Sequence, residues 1–246
     1  MNNMLPISAE VPLQAFFATP QKKGVYPGLI VIQEIWGLND HIKDVATRYA
    51  NEGYIVLAPD LLSETGITEK VDQTILAEIK NPATRDEAQK KLRAIFAPVQ
   101  SPEFAQSSVT KLKACVDYLL GHKQVNGNVG VLGFCFGGTY SYALAAADNR
   151  IKAAVPFYGH APEQLDKLEN IACPILAFYG EYDKNLVESL PELQESMKKF
   201  NKEFDSVVYP NCGHAFFNDT NPAMYNKDAA TDAWEKSLAF LSKNLQ

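Results

Sequence analysis

Short apolar runs of strand length alternate along the chain with amphipathic stretches of helical period. Residues 28–34, Gly-Leu-Ile-Val-Ile-Gln-Glu, form a β-branched run bounded by Pro27 and Gly37. Similar runs lie at 54–58, 128–133, 153–157, 174–179 and 204–209. Their apolar character is continuous rather than alternating, as expected of strands covered on both faces in a mainly parallel sheet. Helical patterns occupy 40–52, 103–121, 138–147, 186–200 and 221–245. In the second of these, Leu112, Cys115, Val116 and Leu119 make one apolar stripe at i, i+3, i+4, i+7 spacing. The last is expected to open at Asn221-Pro222, a capping residue followed by proline at the first helical position. Strand–helix alternation implies right-handed βαβ crossovers and a three-layer α/β fold, with helices on both faces of the sheet.

Residues 61–102 break this rhythm. The segment is polar, carries helical pieces such as 83–96, and follows a strand end at Asp60. It is expected to form an excursion over the edge of the sheet where such folds bind ligands. No interdomain linker is evident, so residues 1–246 read as one domain.

Composition narrows the function. Lys and Arg number 23 and Asp and Glu 29, a net charge of −6, which gives no electrostatic footprint for nucleic acid or an anionic membrane. No run approaches the length of a membrane span, and the N-terminus lacks the basic start of a signal peptide. Cys115, Cys135, Cys173 and Cys212 are scattered without a CxxC pair. Neither a metal site nor a disulfide framework is expected, and a cytoplasmic location follows as the default. No cofactor is implied.

One cysteine stands in a distinctive context. Gly133-Phe134-Cys135-Phe136-Gly137-Gly138 follows an expected strand and opens an expected helix. This is the turn that presents a nucleophile between flanking glycines, with cysteine in the serine position. A helix N-terminus there lowers the cost of thiolate and oxyanion charge. The alternative is a tight packing turn with an inert thiol. Gly180-Glu181-Tyr182-Asp183 and Cys212-Gly213-His214-Ala215-Phe216 each follow a later strand. The order nucleophile, acid, histidine is that of an α/β-hydrolase. His214 can take the thiol proton and Asp183 can hold its tautomer, with Glu181 as the competing acid. His41 and His122 read as surface residues at a helix start and a helix end. His160, at a strand's carboxyl edge, is placed where it could line the cleft and reads as structural or solvent-facing.

These segments, together with Gln33-Glu34-Ile35-Trp36-Gly37, Ala58-Pro59-Asp60-Leu61 and Tyr158-Gly159, resemble the dienelactone hydrolase family of the α/β-hydrolase superfamily. The resemblance implies hydrolysis of a small lactone or ester, of the carboxymethylenebutenolidase type, through a thioester on Cys135. It gives Glu34 a role beside the resting thiol and puts the oxyanion hole at the backbone N–H groups of Ile35 and Phe136. It makes Arg85 a candidate anchor for a substrate carboxylate. Where the family has its second anchoring arginine, this chain has Asn218, which that position makes a candidate substrate contact, and Gln89 and Leu92 stand where aromatic residues are expected. Trp36 is either a cleft wall or a packing residue. Expected partners are thus a small-molecule ester or lactone, and the chain is expected to be a monomer or weak homodimer. A general carboxylesterase or thioesterase on the same scaffold remains open, as does a ligand-binding or redox-sensing protein using Cys135.

Overall fold

The computed structural model describes residues 2–7, 12–81 and 83–246, without the side chains of residues 73, 76, 79, 80 and 85. Its strands are β1 (Asn3–Ile7), β2 (Leu13–Ala18), β3 (Tyr26–Ile32), β4 (Ile55–Pro59), β5 (Val125–Phe134), β6 (Ile151–Phe157), β7 (Ile175–Gly180) and β8 (Phe204–Tyr209). Its α-helices are α1 (Asp40–Asn51), α2 (Gln73–Lys80), α3 (Arg85–Phe96), α4 (Pro102–Gly121), α5 (Phe136–Ala147), α6 (Lys184–Lys199) and α7 (Lys227–Leu245). The strands form one sheet in the order β1-β2-β4-β3-β5-β6-β7-β8. From β4 to β8 every pairing is parallel, whereas β1 and β2 are antiparallel additions at one edge.

Connectivity explains the layers. The chain steps from β3 through α1 to β4 in one direction, then from β5 through α5 to β6 and onward in the other. Right-handed crossovers taken in opposite directions put their helices on opposite faces. The α7 helix returns to the α1 side, where the Trp234 and Tyr49 rings lie 4.4 Å apart. The reversal of direction falls between β3 and β5. The carboxyl ends of strands at such a switch point form an open crevice.

All six strands expected from the apolar runs are present. The first ends at Ile32, so Gln33 and Glu34 lie beyond the ladder. Strands β1 and β2 show no continuous apolar run: β2 alternates buried Leu13 and Ala15 with exposed Gln14, the pattern of an antiparallel strand with one open face. The last helix starts later than expected. Asn221 closes a turn in which its carbonyl accepts from Met224 and Tyr225, and Asn226 is the cap, accepting from the Ala229 N–H at 3.1 Å. The excursion carries α2 and α3 between short 3₁₀ turns. Leu62, Ile67 and Val99 form a small separate core there, packed against Ile35, Phe96, Phe104 and Phe136. A 2.6 Å ion pair from the nearly buried Lys111 to Glu64 ties it to α4.

The contact between α1 and α7 includes a buried polar link. Tyr49 and Ser237 are both fully buried and their hydroxyls lie 2.7 Å apart. The Ser237 proton goes to the Trp234 carbonyl at 2.8 Å, so Tyr49 is the donor to Ser237. Ser237→Ala should therefore strand the Tyr49 hydroxyl and cost about 1–3 kcal/mol. In urea unfolding the midpoint should fall with an unchanged slope, and adding Tyr49→Phe should recover part of the loss.

Candidate active site

The turn from β5 into α5 brings three pieces of backbone together. A Cβ added at Gly133 would lie 2.2 Å from the Gly137 carbonyl oxygen, and one at Gly137 would lie 2.2 Å from that of Ile32. No side chain fits either position. Between them Cys135 adopts φ 56° and ψ −113°, a conformation a non-glycine residue holds only when its surroundings enforce it. Its N–H donates to the Phe157 carbonyl at 3.0 Å and its own carbonyl accepts from Thr139 at 3.1 Å. The result lifts the thiol above the sheet at the first turn of α5. Cys135 is half-buried, whereas Cys115, Cys173 and Cys212 are buried. Burial pushes the Cys115 and Cys173 thiols up to about 12 and raises Cys212 as well.

His214 lies on the loop after β8, and its Nδ1 is hydrogen-bonded to Asp183 Oδ2. Asp183 follows β7 at the N-terminal boundary of α6, where its carbonyl accepts from Leu186 and Val187, leaving the carboxylate for His214. Burial disfavours the imidazolium, but the bond to Asp183 and the Cys135 sulfur facing the ring outweigh it and hold His214 above its ordinary value. Glu181, the competing acid, accepts from the Asn211 N–H at 2.8 Å.

Glu34 is 2 % exposed, and burial raises its pKa, opposed by a hydrogen bond from Asn218 and by the charge of His214. Asn218 Nδ2 donates to Glu34 Oε2 at 2.9 Å, while Asn218 Oδ1 accepts from the Thr220 N–H and hydroxyl at 3.0 and 2.7 Å. Asn218 was expected to touch substrate. Both ends of its amide are instead committed within the protein, because a carboxylate as buried as Glu34 demands a donor.

The same loop is fastened a second time by Asp219. Its carboxylate lies 3.3 Å from His41 Nδ1 and 3.3 Å from Arg48 Nη2. His41, expected at the surface, has a side chain only 1 % exposed. Burial lowers its pKa more than Asp219 restores it. Beneath the loop, Phe217 stacks on Phe134 at 5.2 Å and packs at a tilt against Phe157 at 5.0 Å.

Cys135 and His214 open on a cavity of about 640 Å³ walled by Ile35, Phe136, Tyr140 and Tyr158 and by Phe96 and Val99 of the excursion. His160 and Glu163 stand at its exposed side. The Phe136 N–H, first in α5, has no acceptor within the helix. Trp36 is 44 % exposed and meets Phe96 edge to face at 5.8 Å, at the rim. Arg85 opens α3, with its side chain outside the described structure. Tyr158 is a site residue whose position the sequence did not reveal. It is fully buried at φ 39°, its ring lies 5.0 Å from that of His214, and its hydroxyl has no partner among the described residues. Among the described residues no group of three or more His, Cys, Asp or Glu is placed to hold a metal ion. No helix among them is long and apolar enough to cross a membrane.

Residues 13–245 match the model of the dienelactone hydrolase family. The chain is 34 % identical over 248 residues to a Saccharolobus solfataricus protein named "Putative carboxymethylenebutenolidase", covering 94 % of each chain. A protein of the same name from Escherichia coli K12 is 30 % identical, with 94 % of this chain and 82 % of that one covered. A crystal structure titled as a putative dienelactone hydrolase of Klebsiella pneumoniae superposes with a TM-score of 0.84 at 25 % identity, covering 98 % of both chains. The chain belongs to the dienelactone hydrolase family within the α/β-hydrolase superfamily and is a hydrolase acting on esters or lactones.

Proposed function

We propose that the protein cleaves a small ester or lactone through a thioester on Cys135. The observation that carries this reading is the half-exposed thiol at the head of α5, faced by His214, which is itself bonded to Asp183. His214 accepts the thiol proton, and the thiolate attacks the substrate carbonyl. The developing oxyanion meets the Phe136 N–H and, on the family resemblance, that of Ile35. As the carbon–oxygen bond breaks, His214 returns its proton to the departing alkoxide or enolate. Water then gives a proton to His214 and attacks the thioester, releasing the acid and restoring the thiol pair. Asp183 stabilises the charged ring in both halves.

Glu34 tunes the thiol. When neutral it does not oppose a thiolate nearby; when ionised it does. The hydrogen bond from Asn218 lowers the pKa of Glu34 and thereby sets where that change falls.

With an activated aryl ester, the first turnover should release about one equivalent of phenol before the steady rate. Cys135→Ala should remove the burst and lower kcat/KM by at least about 10³-fold, whereas replacing Cys115, Cys173 or Cys212 should leave the burst. A burst that survives in Cys135→Ala would overturn the mechanism. Asp183→Asn should lower kcat by roughly 10²–10⁴-fold, because the ring loses its fixed tautomer.

The pH dependence of Cys135 alkylation by iodoacetamide tests Glu34. Because Glu34 has a raised pKa, its negative charge arrives late as pH rises and should then restrain thiolate formation. Glu34→Gln should remove that inflection. Asn218→Ala, which deletes a hydrogen bond that favours the carboxylate, should move it to higher pH. Identical profiles in all three proteins would mean that Glu34 does not act on the thiol.

A further inference from the structure

The catalytic cavity continues into a second one of about 660 Å³, and Ala105, Val109, Thr139 and Ala143 line both. The second cavity is a groove between α4 and α5. On α5 the lining residues Thr139, Ala143 and Ala147 recur every four residues, so they share one helix face. On α4 the matching face presents Gln106, Thr110 and Lys113. Ala105, Val109, Thr139 and Ala143 border both spaces, whereas Lys113, Ala146 and Ala147, further along the two helices, border the groove alone, so the groove leads away from the nucleophile. Eleven residues separate Cys135 from Ala146, which at about 1.5 Å per helical residue gives a groove of roughly 16 Å. Its third wall is the segment after β6, through Pro162, Lys167 and Asn170.

Charge along this path is not uniform. Among the described residues lining the catalytic cavity there is no Lys or Arg, and Glu163 stands there as an acid. A carboxylate on a short substrate would meet no lysine or arginine among these residues. Two cations wait further out, at Lys113 and Lys167. Neither is in an ion pair among the described residues. Asp148 lies near Lys113, but its carboxylate is held by Arg150 through Nε at 2.9 Å and Nη2 at 2.6 Å.

We propose that this groove is a substrate subsite for an extended, largely apolar arm ending in a carboxylate, which Lys113 and Lys167 receive. This rests on Cys135 as the nucleophile and deepens that reading by naming the substrate class. Small side chains leave room for the arm, the helix faces cover its methylenes, and the acid at Glu163 disfavours a carboxylate placed early.

Two ester series test it: p-nitrophenyl esters of dicarboxylic acids of increasing length, and acetyl esters of ω-hydroxy acids of increasing length. Each free acid is compared with its methyl-capped counterpart. In one series kcat/KM should rise with length until the carboxylate reaches the lysines, and there the free acid should exceed the capped ester. Lys113→Ala with Lys167→Ala should shrink that advantage by roughly threefold to tenfold, since exposed ion pairs are individually weak. High salt should shrink it similarly. Thr110→Trp, at an exposed helical position, should abolish the gain with length. Cleavage of short esters with no preference for length or charge in either series would overturn the groove and leave the reading of Cys135 standing. If no ester is cleaved, that reading falls. The slowing of Cys135 alkylation by octanedioate then decides the groove: protection that the double lysine variant loses supports it, and protection equal in both proteins, or absent, overturns it.

Discussion

At Cys135 the chain turns from strand to helix at a φ of 56°, and the backbones of residues 32 and 137 close in to distances that no side chain could occupy. This single constraint organises the rest. It requires the glycines that flank the thiol. It sets the N-terminus of α5 directly beneath the sulfur, where the helix dipole and a free N–H favour negative charge. It also fixes the end of β5 beside the end of β3, so Glu34 and Ile35 are brought to the same crevice by sheet order rather than by sequence proximity. A residue held in such a conformation costs on the order of 1–3 kcal/mol, which the flanking parallel strands must over-determine.

Apart from Asp183, which follows β7, the other residues around the thiol arrive on one loop. Residues 214–220 carry His214 toward the thiol, Phe217 into the aromatic core, Asn218 onto Glu34 and Asp219 onto His41 and Arg48. Each attachment reaches a different element, so the imidazole is positioned by packing, by a neutral hydrogen bond and by charge at once. The Asn218–Glu34 bond matters chemically as well. An amide supports the carboxylate without a full positive charge, so burial still dominates and the pKa of Glu34 stays raised. A cation in the same place would favour the ionised form far more strongly.

The sequence was most legible where one residue type has one physical use. Continuous apolar runs located six strands, and the glycines around Cys135 located the turn, because close backbone contact admits nothing else. Legibility failed where a pattern has several uses. Asn221-Pro222 has the form of a helix start but serves an isolated turn, with Asn226 five residues later as the cap. His41 sits in a polar stretch, yet the fold carries Asp219 from the far end of the chain to cover it. Asn218 was read by position as a substrate contact, since nothing local discloses that its amide faces a carboxylate 184 residues away. The groove between α4 and α5 was equally hidden. Its alanines look like ordinary helix formers until two helices are placed side by side.

The central claim is that the acyl group passes through the sulfur of Cys135. Acid-quenching the protein with a slowly deacylating aryl ester, then digesting it and weighing the peptides, tests this most directly. The acyl mass should appear on the peptide containing Cys135, reach nearly one per chain, and disappear at the rate at which the free acid forms. An adduct on Cys212 or on a serine, or turnover with no adduct when deacylation is demonstrably slow, would contradict it.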